Sequence, residues 1–466
     1  MTTMTDPVPG GRPGEVERAR ALADELAGRG VHGVVLSWID TVGVNRIKTV
    51  PVGRLASTVA WGAGMSPTFD TFLADDSIVS TDRLGGPDGD LRLYPDLDRL
   101  VALAGQPGWA WAPVDRLTQD GDPYPVCSRS LLRHLVSSAE ATGISYQAGI
   151  EIEFALGRDD VPAGEWAPAC TGPAYGMTRL VEQSDFCVAV LAALAEQGVE
   201  VDQIHPEYST GQYEVSVGVL DPVGAADRSV LVRQTIRAVA QRHGLRVSFS
   251  PAVLAAGVGN GGHLHLSAWR EGVNLHAGGT GRYGMTGHAE AFVAGVVAAL
   301  PALSAVATSS PASYLRLQPS HWAGVYACWG HETRESAVRL VTGTVGHRER
   351  SSNLEVKSAD LAANPYLLIA GVIAAGQDGV TRGLPLGEEI TGDPARFTPA
   401  ELAALGVRRL PASLTEAVEA FDASALMRET YGELLAGAIS AVRRGEVTRT
   451  AQLTPEQVAQ AYRWVF

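Results

Sequence analysis

Glu151 and Glu153, one residue apart in Gly149-Ile150-Glu151-Ile152-Glu153-Phe154, would point to one face of an extended chain while Ile150, Ile152 and Phe154 point to the other. Side by side, two carboxylates can hold a hard cation; taken alone, the pattern also describes an ordinary polar strand face. Further on, His205-Pro206-Glu207-Tyr208-Ser209-Thr210-Gly211-Gln212-Tyr213-Glu214 contains a Ser-Thr-Gly turn that could fold two strands together and bring Glu207 near Glu214, or form a solvated hairpin. A glycine-rich approach, residues 257–262, leads into His263-Leu264-His265, whose imidazoles share a strand face; metal or phosphate binding and a structural role are both open there. Arg316, Arg334, Arg339, Arg350 and Lys357, with Glu355 among them, suit phosphate oxygens if they converge and form a charged surface if they do not. Carboxylates plus an imidazole favour hard divalent ions and clustered arginines favour phosphates, so the four pieces together point to Mg²⁺ and nucleotide chemistry.

These groups need elements to position them. Apolar spacing predicts a helix over 15–28, closed by Gly30, and then a hairpin of strands 33–40 and 44–52 around Asp40-Thr41-Val42-Gly43. Residues 91–95 and 109–113 read as strands, and Gly121-Asp122-Pro123-Tyr124-Pro125 punctuates the chain, which sets a domain boundary near residue 118. Beyond it, helices over 130–141, 185–197 and 225–243 alternate with strands over 146–155, 199–206, 212–219, 246–250 and 262–269. That alternation is an α+β pattern with much antiparallel pairing.

The composition sets outer bounds. A chain of 466 residues, 45% hydrophobic and 19% charged, is an ordinary globular chain of more than one packed unit, and its net charge of −14 argues against a nucleic-acid surface. Cys127, Cys170, Cys187 and Cys328 are scattered without a CxxC pair, which favours buried thiols over a zinc site or a disulfide framework. Residues 1–14 lack the basic and apolar regions of a signal peptide and read as a disordered tail, so a cytoplasmic protein is expected. The apolar stretches 291–307 and 367–376 are interrupted by Pro301 or too short for a bilayer, and are expected to be core helices.

In their order along the chain, GIEIEF, HPEYSTGQYE, GGHLHLS, RLQPSHWAGVYACWGHETRESAVR, NLEVKSADLAANPY and LPASLTEAVEAFDAS resemble the motifs of the glutamine synthetase superfamily. The resemblance implies an α+β glutamine synthetase fold, with a β-grasp-like N-terminal domain over 15–118 and a catalytic domain of antiparallel sheet and helices over 119–466. It also implies a homo-oligomeric ring, typically a dodecamer, with active sites between neighbours. By matching position, Glu153, Glu207 and Glu214 would hold one Mg²⁺ (or Mn²⁺), and Glu151, His263 and Glu355 a second. Arg334 and Arg339 would act on the transferring phosphoryl group of ATP, Ser267 and Arg350 would lie near the nucleotide, and Gly259, Arg316 and Lys357 would surround glutamate. The implied reaction passes through γ-glutamyl phosphate, from which an amine displaces phosphate.

Around the amine the sequence departs from ammonia-using members. Their Asp-Gly-Ser-Ser aspartate falls on Ser66, and a flap glutamate falls on Trp322. With Tyr175 and Glu207 as the other matched walls, that pocket suits an alkylamine resting on the indole, and leaves Glu207 as the matched base. The stretch 322–330 is similar to that of actinobacterial γ-glutamylpolyamine synthetases, which act on putrescine, cadaverine, spermidine or spermine. Relatives that act on ethanolamine or isopropylamine share the departures. An ammonia-using enzyme and a non-catalytic glutamate- or nucleotide-binding regulator are further alternatives.

Overall fold

The structure, a computed structural model, describes residues 14–162 and 164–466. All but the last residue of the tail expected over 1–14 lies outside the described residues. Helix Glu15–Gly28 leads into strands Gly33–Ile39 and Asn45–Pro51, a hairpin whose turn is closed by Asp40 accepting the Gly43 and Val44 N–H groups. Gly33–Ile39 then pairs in parallel with Trp109–Thr118, which continues to Leu91–Pro95 and Ala63–Met65; Val101–Ala102 also pairs with Trp109–Thr118.

Two more sheets carry the chemistry-bearing motifs. One is antiparallel throughout, in the order Leu245–Ser248, Ile152–Arg158, Gln212–Val217, Val201–Pro206. In the other, Leu264–Arg270 lies between Ser145–Ile150 and Asn353–Val356, and Val338–Val341 and Trp329–His331 follow outward. The single strand expected over 146–155 is therefore two strands in two sheets, with Glu151 at the step between them. The helices expected over 130–141, 185–197 and 225–243 are Ser128–Glu140, Ser184–Glu196 and Pro222–Arg242.

Helices Gly287–Ala307 and Pro365–Arg382 pack against each other behind these sheets. Asn364 caps the second through the Tyr366 and Leu367 N–H groups, Pro365 takes the position that needs no donor, and Gly383 ends it in the left-handed region. The helices touch backbone to backbone at Gly295 and Gly379; a Cβ on Gly379 would stand 2.2 Å from the Ala291 carbonyl oxygen. Gly287–Ala307 is long and apolar enough to cross a membrane, but 72% of that window is buried inside the fold, as expected of a core helix. Pro301 does not interrupt it: the helix runs continuously through that position. All four cysteines are free and buried.

A buried charge cluster ties the first sheet to the helices behind the site. Arg129 donates to Asp96, Asp115 and Asp227, and the Tyr366 hydroxyl donates to Asp227. Each carboxylate in the cluster has a cationic partner, without which its burial would be costly.

Candidate active site

Strand register assembles the site. Glu214 stands directly opposite Glu153 on one side and directly opposite His205 on the other, so three polar groups form a row across three strands. In the neighbouring sheet Glu355 stands opposite His265 on one side and Arg339 on the other. Directly opposed residues in a sheet send their side chains to the same face. Glu151, at the step between the sheets, and His263, just before its strand, join the two rows: His263 Nδ1 lies 2.9 Å from Glu151 and 3.5 Å from Glu355, and its Nε2 lies 3.8 Å from Glu153.

The carboxylates are oriented from behind. Glu153 accepts from the Gly261 N–H (2.7 Å) and from Gln212 Nε2 (3.0 Å), Glu214 accepts from the Ser216 hydroxyl, and Glu207 accepts from the Tyr175 hydroxyl (2.6 Å) and the Tyr208 N–H. Arg179, itself buried, donates to the carbonyls of Gly172, Glu207 and Ser209, and so holds the Tyr175 loop against Glu207. Burial, with Glu153 and Glu214 close by, pushes the Glu207 carboxyl up to about 7. Burial also works against the carboxylate of Glu151, but hydrogen bonds from His263 and His265 outweigh it and hold the group well below the usual range.

These side chains line a cavity of about 570 Å³, with Trp322, Arg334 and Tyr175 among its other walls. Trp322 and Tyr175 are each 53% exposed, so their rings present free apolar surface to an incoming molecule. The Arg334 guanidinium lies 6.0 Å from the Trp322 ring centre. Arg339 donates to Glu355 and Glu332, while its buried Nε has no partner among the described residues. Lys357 Nζ donates to Glu355 (3.1 Å). Arg316 also lines the cavity, but its guanidinium donates to the Ser358 and Lys357 carbonyls and lies 3.3 Å from His263 Nε2. Gly259 permits that packing, since a Cβ there would stand 2.1 Å from the Pro251 carbonyl oxygen and 2.9 Å from Arg316. A second cavity of about 530 Å³ shares Glu151 with the first and is lined by Ser267, Arg350 and His265.

A family model described as "Glutamine synthetase, catalytic domain" matches residues 125–462. The chain belongs to the glutamine synthetase family. Members of this family are ligases that use ATP and divalent metal ions. The chain is 65% identical over 99% of both chains to gamma-glutamylpolyamine synthetase GlnA3 of Streptomyces coelicolor. It is 28% identical to the glutamine synthetase of Halobacterium salinarum, covering 92% of this chain and 93% of that one. Among solved structures, one titled "Crystal structure of novel glutamine synthase homolog" matches with a TM-score of 0.84 at 31% identity, over 94% of this chain and 99% of that one.

Within this glutamine synthetase-family site two histidines stand beside the ligand sets implied by the resemblance: His265, which the His-x-His pattern leaves open between metal binding and a structural role, and His205, to which the sequence reading assigns no role. His265 Nε2 lies 3.1 Å from Glu151, and Glu151, His265 and Glu355 each offer a ligand atom within 4.8 Å of the others. His205, Glu207 and Glu214 form a second such group. The signals were present, as His-x-His and as His205 two residues before Glu207, but the facing strand that gives each its role is far away in sequence. Burial disfavours the charged form of His265, yet Glu151 and Glu355 outweigh it and push the group up to about 9. Ser66 is not among the residues that line the cavity of its own chain; it caps the short helix Pro67–Thr71 by accepting from the Thr68 N–H.

Proposed function

We propose that the chain joins the γ-carboxylate of glutamate to an alkylamine at the expense of ATP, and that the amine is a polyamine: putrescine, cadaverine, spermidine or spermine. The observation that carries this reading is the Trp322 and Tyr175 ring surface at the mouth of a carboxylate-lined cavity, where a carbon chain can lie with its cationic end towards Glu207. The name of the 65%-identical Streptomyces coelicolor relative supports the choice of amine.

The donors fit divalent cations: each set is built on two or three carboxylates with one or two imidazoles beside them, and carboxylate oxygens suit Mg²⁺ or Mn²⁺. Glu153, Glu207 and Glu214, joined by His205, would hold one ion, and Glu151, His263 and Glu355, joined by His265, another. Bound there, two such ions supply Lewis-acid neutralisation of the ATP phosphate oxygens. Ser267 and Arg350 in the second cavity receive the nucleotide. Arg334 and the free Nε of Arg339 offer donors to the phosphoryl group in transit. Gly259, Arg316 and Lys357 bound the glutamate side, with Arg316 supporting backbone and His263 as much as substrate.

In the first step a γ-carboxylate oxygen attacks the γ-phosphorus, and the bond from that phosphorus to the bridging oxygen breaks to release ADP. In the second, the amine nitrogen attacks the acyl carbon, the carbon–oxygen bond to phosphate breaks, and a proton leaves the nitrogen. An alkylammonium with a pKa of about 10 must lose a proton before attack, and Glu207, held by Tyr175, is the carboxylate placed to take it. The protein works as a cytoplasmic homo-oligomer, a dodecamer in the family's usual form, built from an N-terminal domain over 15–118 and a catalytic domain over 119–466. Ser66 then reaches the amine pocket from a neighbouring subunit, in keeping with its position outside its own chain's cavity.

Phosphate release with Mg²⁺, ATP and glutamate, measured in parallel with ammonium, putrescine, spermine, ethanolamine and isopropylamine, tests the reading. Turnover with polyamines and little with ammonium supports it. Preference for a monoamine moves the substrate, and silence with every amine favours a regulator.

A further inference from the structure

Trp322 holds its bulky side chain on a backbone with φ 56°, and Ser320 two residues earlier has φ 60°. Non-glycine residues are strained in the left-handed region, and a bulky ring is seldom found there without a restraint. The restraint at Trp322 is Glu335: its carboxylate accepts the Trp322 backbone N–H at 2.9 Å. Glu335 is 8% exposed and does not line the cavity, so it is a buried acid without a part in the chemistry described above. The other end of the segment is tied down by the Ser320 hydroxyl donating to Asp393 (2.6 Å), and just beyond Trp322 the chain anchors through buried Ala323 and Val325. Arg334, next to Glu335 in the chain, faces the indole ring. One short loop therefore grips Trp322 twice, by backbone through Glu335 and by ring through Arg334.

We infer that Glu335 is a positioning residue for amine selection: by holding the Trp322 N–H it fixes the indole as the apolar wall on which the amine's carbon chain rests. This rests on the proposed alkylamine reading, because a wall of that kind matters only to a substrate with a carbon chain. Ammonium and other small nucleophiles make no use of it. Loss of the carboxylate frees the segment to leave its strained conformation, and the indole then no longer occupies one place.

The test begins with Glu335→Ala. The KM for putrescine or spermine is expected to rise about tenfold or more, while the KM for ATP and the rate with hydroxylamine, a small trap for the acyl phosphate, change by less than about threefold. Glu335→Gln keeps a carbonyl oxygen at the same reach and is expected to restore the wild-type amine KM, whereas Glu335→Asp withdraws the oxygen and raises it. An unchanged amine KM in Glu335→Ala, equal values for the Gln and Asp variants, or an equal loss for all substrates overturns the assignment. A second readout needs no substrate and stands even if the amine reading fails: acrylamide quenching of the Trp322 fluorescence, taken as the difference between each protein and its Trp322→Phe counterpart. That difference should become more strongly quenched in Glu335→Ala and stay at the wild-type level in Glu335→Gln, which keeps an acceptor for the Trp322 N–H. Identical quenching in the wild type and Glu335→Ala would contradict the tether.

Discussion

Glu153 and Glu214 face each other as direct cross-strand partners, two carboxylates on neighbouring antiparallel strands with their side chains on one face. Like charges in that position destabilise a sheet. Gly261 and Gln212 orient Glu153, and Ser216 orients Glu214, while His205, 3.5 Å from Glu214 and pushed up to about 9 chiefly by its bond to that carboxylate, sets one positive charge against the two acids. Such a pairing is favourable once a cation sits between the two.

That pairing predicts an ion-dependent stability. Millimolar Mg²⁺ should raise the melting temperature of the wild type, because the ion binds the folded state, and should raise that of Glu214→Gln by much less. Thermal melting of both proteins in chelator and in Mg²⁺ checks it; an equal rise in the two would remove Glu214 from any cation site.

In the proposed mechanism Glu207 is a metal donor and a proton acceptor together, so Glu207→Ala should lower kcat by at least about 100-fold. Tyr175→Phe, which removes only the 2.6 Å bond to Glu207, should cost less. Steady-state rates with putrescine compare the two, and near wild-type turnover in Glu207→Ala would remove that residue from the mechanism.

On the proposed amine pocket, Ser66→Asp and Trp322→Glu each place an acid near the amine and should raise the ratio of ammonium to polyamine turnover. Product analysis by mass spectrometry in mixed-amine competition reads that ratio directly. An unchanged ratio in both variants would separate these positions from amine choice.

His276 gives a pH dependence independent of the site. It is fully buried, accepts from the Ala268 N–H, and is held down to about 4 by burial and by nearby His288. The unfolded chain, with an ordinary value near 6.5, binds a proton that the folded protein refuses, so stability is fully present above about 6.5 and falls as pH drops towards 4. Relative to His276→Gln, the wild type should lose about 3 kcal/mol across that window. Denaturant unfolding at several pH values checks the slope, and parallel curves for the two proteins would refute it.

Much of the site was legible where function is carried by adjacent residues. Glu151, Glu153, Glu207, Glu214, His263 and Glu355 do line one cavity. Glu151 and Glu153 are not brought together by the alternation of one strand, because the chain changes sheets at Glu151. Sequence alone assigns His205 no role and leaves His265 open, because their places come from register with strands distant in sequence, which no local period records. Pro301 read as a break because proline removes one helical donor, yet packing against helix Pro365–Arg382 keeps the helix whole. The Glu335 tether to Trp322 depends on loop conformation, which residue types alone do not specify.

The most direct test of an acyl-phosphate ligase follows oxygen. Glutamate labelled with ¹⁸O in its γ-carboxylate is incubated with the protein, Mg²⁺, ATP and putrescine, and the released phosphate and amide product are analysed by mass spectrometry. Attack on the γ-phosphorus predicts that each phosphate carries one labelled oxygen and each γ-glutamyl amide retains the other. Unlabelled phosphate, or phosphate released without any amide, would contradict it.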